Sequence, residues 1–128
     1  MIELVSSNYY SELTDNMVSS IETFCEDANV SYNIHKVNGV WEIPYRINSL
    51  SDKSNYFVAI GVVIKGETDH YEYISSAVSN GLITLSLNKD VYISNCILNV
   101  KNYNQAVERS KTKGVEAIEA LLNILNND

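Results

Sequence analysis

A three-layer α/β/α sandwich around a four-stranded parallel sheet is the architecture this sequence predicts, and three observations predict it. Strand-like and helix-like segments alternate four times along the 128 residues, the order that covers both faces of a parallel sheet with helices. Phe57-Val58-Ala59-Ile60-Gly61-Val62-Val63-Ile64 is apolar throughout, as a strand buried on both faces should be. The helical segments repeat apolar residues at spacings of three and four, so each has one face to lay on a sheet. No repeat, low-complexity tract or linker interrupts the pattern, and residues 1–128 are expected to form one domain.

Taken in order, residues 2–6 read as a short strand. Residues 13–28 read as a helix with Leu13, Met17, Ile21 and Phe24 on one face, ending near Asn29. Residues 31–37 alternate imperfectly around Tyr32, Ile34 and Val37 and read as a second strand. Asn38-Gly39 marks a turn, and Pro44 suits the first turn of a helix running to about residue 50. After the polar loop 51–55 comes the apolar strand 56–64. A third helix is expected from Asp69, with Asp69 and Glu72 spaced like a capping box and Tyr71, Ile74, Val78 and Leu82 on one face. Residues 91–98 form the fourth strand. Residues 103–111 and 115–125 are helical, the latter striped by Val115, Ile118, Leu121, Leu122 and Leu125.

Composition narrows the function. A net charge of −7 with nine scattered Lys and Arg excludes the clustered basic surface that nucleic-acid binding needs. No apolar run is long enough to cross a bilayer. The start, Met1-Ile2-Glu3-Leu4-Val5, lacks a basic region followed by an apolar core, so it is not read as a signal peptide and a cytoplasmic location is expected. Cys25 and Cys96 have no metal-ligand spacing and read as reduced thiols, Cys25 late in a helix and Cys96 in a strand. With two histidines and no His/Cys/carboxylate cluster, no metal site is expected.

The segment from Gly61 to Ile74 joins the apolar strand, through Lys65-Gly66-Glu67-Thr68, to a helix that opens near His70. The carboxyl end of a strand in an α/β sheet is a usual ligand position, and the free N–H groups at a helix start attract anions. An anionic substrate with proton transfer by His70 is the chemistry those residues support. Taken alone, a histidine at such a junction reads as a surface residue, and the surrounding motifs decide between the two.

Gly39-Val40-Trp41-Glu42-Ile43-Pro44 is similar to the G-A-F/Y/L-E-I/L-P stretch of lumazine synthases. Gly61 to Tyr73 is similar to their G-x-V-I-R/K-G-E-T-x-H-F/Y-D/E-Y, and Gln105-Ala106-Val107-Glu108-Arg109 followed by Lys113-Gly114-Val115-Glu116-Ala117 is similar to their Q-A-x-E/D-R and K-G-x-E-A. The correspondence runs in order through nearly the whole chain, which therefore resembles that family. The resemblance implies a flavodoxin-like fold and, without cofactor or metal, the condensation of 5-amino-6-(D-ribitylamino)uracil with 3,4-dihydroxy-2-butanone 4-phosphate to 6,7-dimethyl-8-ribityllumazine. It also implies a homopentamer with sites between subunits, and association with riboflavin synthase.

Residue by residue, the resemblance implies that His70 moves protons and that Tyr9 stacks on the pyrimidine, with Tyr10 taking that place if the turn differs by one residue. Val40, Trp41 and Glu42 match the stretch that meets the ring and ribityl chain, with Trp41 open to a core or subunit-contact role instead. Val62, Val63 and Ile64 match the strand end whose backbone meets the pyrimidine edge. Glu67 and Thr68 match the phosphate turn, Glu67 through its backbone. Asn95 matches a position beside the substrate on the neighbouring subunit. Arg109 matches the phosphate-binding arginine, and Lys113 adds a second charge nearby. His35 lies in no motif and reads as structural.

The chain departs from the family pattern at Asn8, where Arg is common, and at Asn38, where Pro is usual. Asp90-Val91-Tyr92 lacks the common Val-Pro entry, and the step from Arg109 to Lys113-Gly114 is short. A non-catalytic flavin- or lumazine-binding shell protein is the rival reading, disfavoured by His70 and Arg109 occurring together. A receiver-type signalling domain would need a carboxylate cluster after the first strand, where Ser6-Ser7-Asn8-Tyr9 stands.

Overall fold

A computed structural model describes residues 1–67 and 70–127. The chain runs β1 (Ile2–Ser7), α1 (Ser11–Asp27), β2 (Tyr32–Val37), a 3₁₀ turn (Val40–Glu42), α2 (Ile43–Leu50), β3 (Tyr56–Ile64), α3 (Tyr71–Lys89), β4 (Tyr92–Val100), α4 (Tyr103–Ser110) and α5 (Lys113–Asn127). The four strands form one parallel sheet in the order β2-β1-β3-β4. Chain order reverses beside β1: β2 lies on one side of it and β3 on the other. The crevice at the carboxyl ends of β1 and β3 is therefore the topological switch point, where such folds bind ligands.

Alternation along β3 builds both layers. Val58, Ile60, Val62 and Ile64 join Ile2, Leu4, Met17, Ile21, Leu98, Ile118 and Leu121 in the core under α1, α4 and α5. Phe57, Ala59 and Val63 join Val5, Val37, Ile43, Ile47, Val78 and Leu82 under α2 and α3. β2 is an edge strand with only Val37 buried, which explains its imperfect periodicity in the sequence. The expected helix start at Asp69 and its pairing with Glu72 lie outside the described residues.

Two glycines permit close approaches. A Cβ on Gly114 would stand 2.7 Å from the Met17 backbone oxygen, so α5 can rest directly on α1 only with glycine there. A Cβ on Gly61 would collide with Val40 Cγ1, which ties the middle of β3 to the turn after β2. Both cysteines are buried. Burial pushes the Cys25 thiol up and the Cys96 thiol up to about 12, which keeps both protonated near neutral pH.

At the opposite end of the sheet, Glu3 is 5% exposed. Its carboxylate takes a 2.7 Å contact from His35 Nε2 and a 2.6 Å hydrogen bond from Ser54 Oγ, binding β1 to β2 and to the loop before β3. Burial favours the neutral acid, but the bonds from Ser54, His35 and Asn33 and the charge of His35 outweigh it, so Glu3 titrates below its ordinary 4.5. A carboxyl with a lowered folded pKa stabilises the fold above its unfolded value, and that contribution is lost as pH falls through the folded one. The melting temperature of the wild type should therefore exceed that of Glu3→Gln at neutral pH, with the gap closing below about pH 4.5. A gap that stays constant on acidification would show that the ionised carboxylate contributes nothing.

Candidate active site at the switch point

After β1 the chain turns sharply. Asn8 N–H donates to the Val37 carbonyl at 2.7 Å, and Tyr10 adopts a left-handed backbone (φ 61°) as it caps α1. This turn carries Tyr9 outward, 62% exposed, with its ring edge-on to Tyr10 at 4.7 Å. The Tyr10 hydroxyl donates to Glu67 Oε2.

After β2, Gly39 N–H donates to Glu42 Oε1 at 2.9 Å, closing the 3₁₀ turn and directing Val40 inward and Trp41 outward. Trp41 is 55% exposed and stacks on Tyr73 of α3 with centroids 6.2 Å apart and planes at 22°. β3 ends with Val62, Val63 and Ile64 buried. Lys65 N–H still donates to Val100 O at 2.8 Å, and Gly66 (φ 87°) then turns the chain so that Glu67 N–H faces Ile64 O at 3.3 Å. Thr68 lies outside the described residues. His70 is the exposed cap of α3, its carbonyl accepting from Ile74 N–H at 2.8 Å.

These segments enclose a cavity of about 290 Å³ lined by Tyr9, Tyr10, Gly39, Val40, Trp41, Val62, Val63, Ile64, Glu67 and Ile74. Seven of the residues expected at the site from sequence meet there: Tyr9, Val40, Trp41, Val62, Val63, Ile64 and Glu67.

Arg109 stands elsewhere. It lies on α4, whose start is fixed by the Asn102 side chain accepting from Gln105 N–H at 2.9 Å, while Gln105 Oε1 accepts from Lys101 N–H at 2.8 Å. Arg109 lines a second, open groove of about 640 Å³ with Tyr71, Asn99, Lys101, Asn102 and Glu108. Glu108 bonds to Lys111 Nζ at 3.1 Å, and among the described residues no carboxylate pairs with Arg109. The first turn of α3 touches both spaces, Tyr71 lining the groove and Ile74 the cavity. Glu42, His70, Asn95 and Lys113 line neither. Asn95 is exposed in the middle of edge strand β4, its Oδ1 accepting from Ile97 N–H at 2.9 Å, and Lys113 opens α5.

No group of three or more His, Cys, Asp or Glu among the described residues could hold a metal ion. No helix among them is long and apolar enough to cross a membrane.

The family model described as 6,7-dimethyl-8-ribityllumazine synthase matches residues 1–128. The chain belongs to the lumazine synthase family. It is similar to 6,7-dimethyl-8-ribityllumazine synthase of Zymomonas mobilis, 36% identical over 129 residues, covering 96% of this chain and 92% of that protein. It is similar also to those of Mycolicibacterium gilvum, 31% identical with 94% and 80% covered, and Wigglesworthia glossinidia brevipalpis, 36% identical with 88% and 75% covered. In this lumazine synthase family member the Gly39–Pro44 stretch and the end of β3 are two walls of one cavity, and the Gln105–Arg109 stretch is the wall of another space. Sequence reasoning did not single out the Tyr10–Glu67 bond or the lining roles of Tyr71 and Ile74. The helical face shared by Tyr71 and Ile74 was the one signal for the latter.

Proposed function

We propose that the chain condenses 5-amino-6-(D-ribitylamino)uracil with 3,4-dihydroxy-2-butanone 4-phosphate to give 6,7-dimethyl-8-ribityllumazine, phosphate and two molecules of water. The observation that carries this reading is the switch-point cavity walled by Tyr9, Val40, Trp41 and the end of β3, with His70 capping the adjacent helix. Tyr9 offers its exposed ring for stacking on the pyrimidine, and the backbone of Val62, Val63 and Ile64 offers hydrogen-bonding groups to the pyrimidine edge. The Glu42 carboxylate accepts from ribityl hydroxyls.

The amine of the pyrimidine is the nucleophile. It attacks the ketone carbonyl, water leaves to form the imine, phosphate is eliminated, and the ribitylamino nitrogen closes the ring on the carbonyl so released with loss of a second water. The protein supplies placement and proton transfer. His70 takes and returns protons through these steps, as imidazole does near neutral pH. The turn through Glu67 and Thr68, ahead of α3, receives the phosphate, since the start of a helix favours an anion.

A cavity of about 290 Å³ lies at the low end of small-molecule sites, and one chain keeps Arg109 in a separate groove. A second copy completes the site by presenting Arg109 and Asn95, with Lys113 adding charge, which a closed ring achieves for every subunit at once. A homopentamer in the cytoplasm is the assembly this reading takes. Mixing the purified protein with both substrates should produce the fluorescent lumazine faster than the spontaneous reaction. No excess over the spontaneous rate would overturn the proposal.

A further inference from the structure

Arg109 shares its groove with a second cation, Lys101, which is exposed and lines the same open space. Among the described residues neither of the two pairs with a carboxylate. Glu108 is the one acid lining the groove, and its carboxylate is taken by Lys111 Nζ at 3.1 Å. Two unpaired positive charges therefore remain in one groove. Like charges repel, and an anion between them turns that repulsion into attraction. Lys101 is also held in place. It follows the end of β4, and its N–H donates to Gln105 Oε1 at 2.8 Å. Gln105 N–H donates in turn to the Asn102 side chain at 2.9 Å, which makes one fixed turn of Lys101 and the start of α4. Gln105 and Arg109, four residues apart, share a face of α4, and side chains on a helix lean towards its amino end. That lean carries Arg109 back over Gln105 towards Lys101.

Lys113 faces another way. It opens α5 and does not line the groove. Burial raises the Cys96 thiol, and the Lys113 charge opposes that rise, which places the ammonium near Cys96 on the face of β4 that packs under α5. We infer that Lys101 is a further binding residue for the phosphate-bearing substrate, closing with Arg109 a two-cation grip to which Lys113 adds only at longer range. This rests on the function proposed above. Both cations belong to one chain, so the pair travels intact to whichever cavity it completes. Arg109 offers its planar fork to two phosphate oxygens, and Lys101 offers a compact point charge to a third.

The test is steady-state kinetics on the wild type, Lys101→Gln, Lys101→Arg and Lys113→Gln, with inorganic phosphate as an inhibitor competing with the butanone phosphate. Glutamine removes the charge, and the bond to Gln105 is made by the backbone, so the turn is kept. In Lys101→Gln, KM for the butanone phosphate and the inhibition constant of inorganic phosphate should both rise about threefold to tenfold, between the worth of an exposed ion pair and that of a charge-assisted hydrogen bond. Its kcat and the KM for the pyrimidine should move less than about twofold. Lys101→Arg keeps the charge and should stay within about twofold of the wild type, as should Lys113→Gln. Unchanged phosphate constants in Lys101→Gln, or losses for both substrates that Lys101→Arg does not restore, would overturn the role of Lys101 while leaving the proposed reaction standing. A larger phosphate effect in Lys113→Gln than in Lys101→Gln would overturn it in the same way. A wild type without turnover would overturn the reaction and this role together.

Discussion

Replacing His70 by alanine should slow turnover about a hundredfold to ten-thousandfold, the range that a positioned acid–base group contributes. KM for either substrate should shift by less than about twofold. The asymmetry follows from where His70 stands. It caps α3 and lines neither the cavity nor the Arg109 groove, so ring stacking and phosphate binding do not depend on its side chain. In the proposed mechanism, proton movement does. Imine formation ejects water from a carbinolamine, and elimination ejects phosphate after loss of a proton from carbon. Each step needs a group able to give and take a proton at the same pH, which is the property of imidazole. Glutamine at position 70 keeps hydrogen bonding without that property and should be nearly as slow as alanine. A wild-type rate in His70→Ala would remove His70 from the mechanism.

Arg109→Ala should act on the other half of the reaction. Charge-assisted hydrogen bonds from a guanidinium to phosphate contribute roughly 1.5–3 kcal/mol, so KM for the butanone phosphate should rise about tenfold to a hundredfold while the KM for the pyrimidine is kept. Arg109→Lys should recover only part of the loss, because an ammonium cannot grip two phosphate oxygens in the planar fork that a guanidinium offers. Glu108, the neighbouring carboxylate, bonds to Lys111 and does not hold Arg109 away from a substrate. An equal loss for both substrates would place Arg109 in the structure of the subunit contact and not on the phosphate.

The layered fold was legible where packing leaves a period in the chain. Residues 56–64 form β3 with the expected limits because both faces of that strand are buried. The fourth strand runs two residues past its expected end, because Asn99 and Val100 continue the ladder opposite Val63 and Ile64, a pairing that no local pattern encodes. The second strand's weak alternation reflects an edge strand with one buried residue. The first helix begins at Ser11, ahead of the expected Leu13, since the left-handed Tyr10 provides its cap.

At the site, motifs placed seven residues in one cavity because those residues follow directly from strand ends, whose position the fold fixes. Arg109 was expected by resemblance to bind phosphate, but its separation from the cavity was not legible, since that depends on where α4 lies relative to β3. Contacts such as Tyr10 with Glu67, or Glu3 with His35 and Ser54, join residues 57, 32 and 51 positions apart. Their partners are chosen by three-dimensional proximity, and spacing along the chain carries no trace of them. Lys113-Gly114 was read for its charge, and the structure gives the pair a second meaning through the approach of α5 to α1.

The separation of the cavity from the Arg109 groove makes a shared site the centre of the account, and mixed assemblies test it most directly. His70→Ala and Arg109→Ala chains, co-expressed with different tags and purified through both, would sit side by side in one ring. Where an Arg109→Ala chain supplies His70 and its neighbour supplies Arg109, an intact site forms, and random mixing around a head-to-tail ring makes about a quarter of the sites intact. With the butanone phosphate held well below the wild-type KM, where each variant alone retains a tenth of the wild-type rate or less, formation of the fluorescent lumazine at about a quarter of the wild-type rate is the result the account predicts. Doubly tagged assemblies no more active than the better single variant would contradict it, because His70 and Arg109 would then have to act from the same chain.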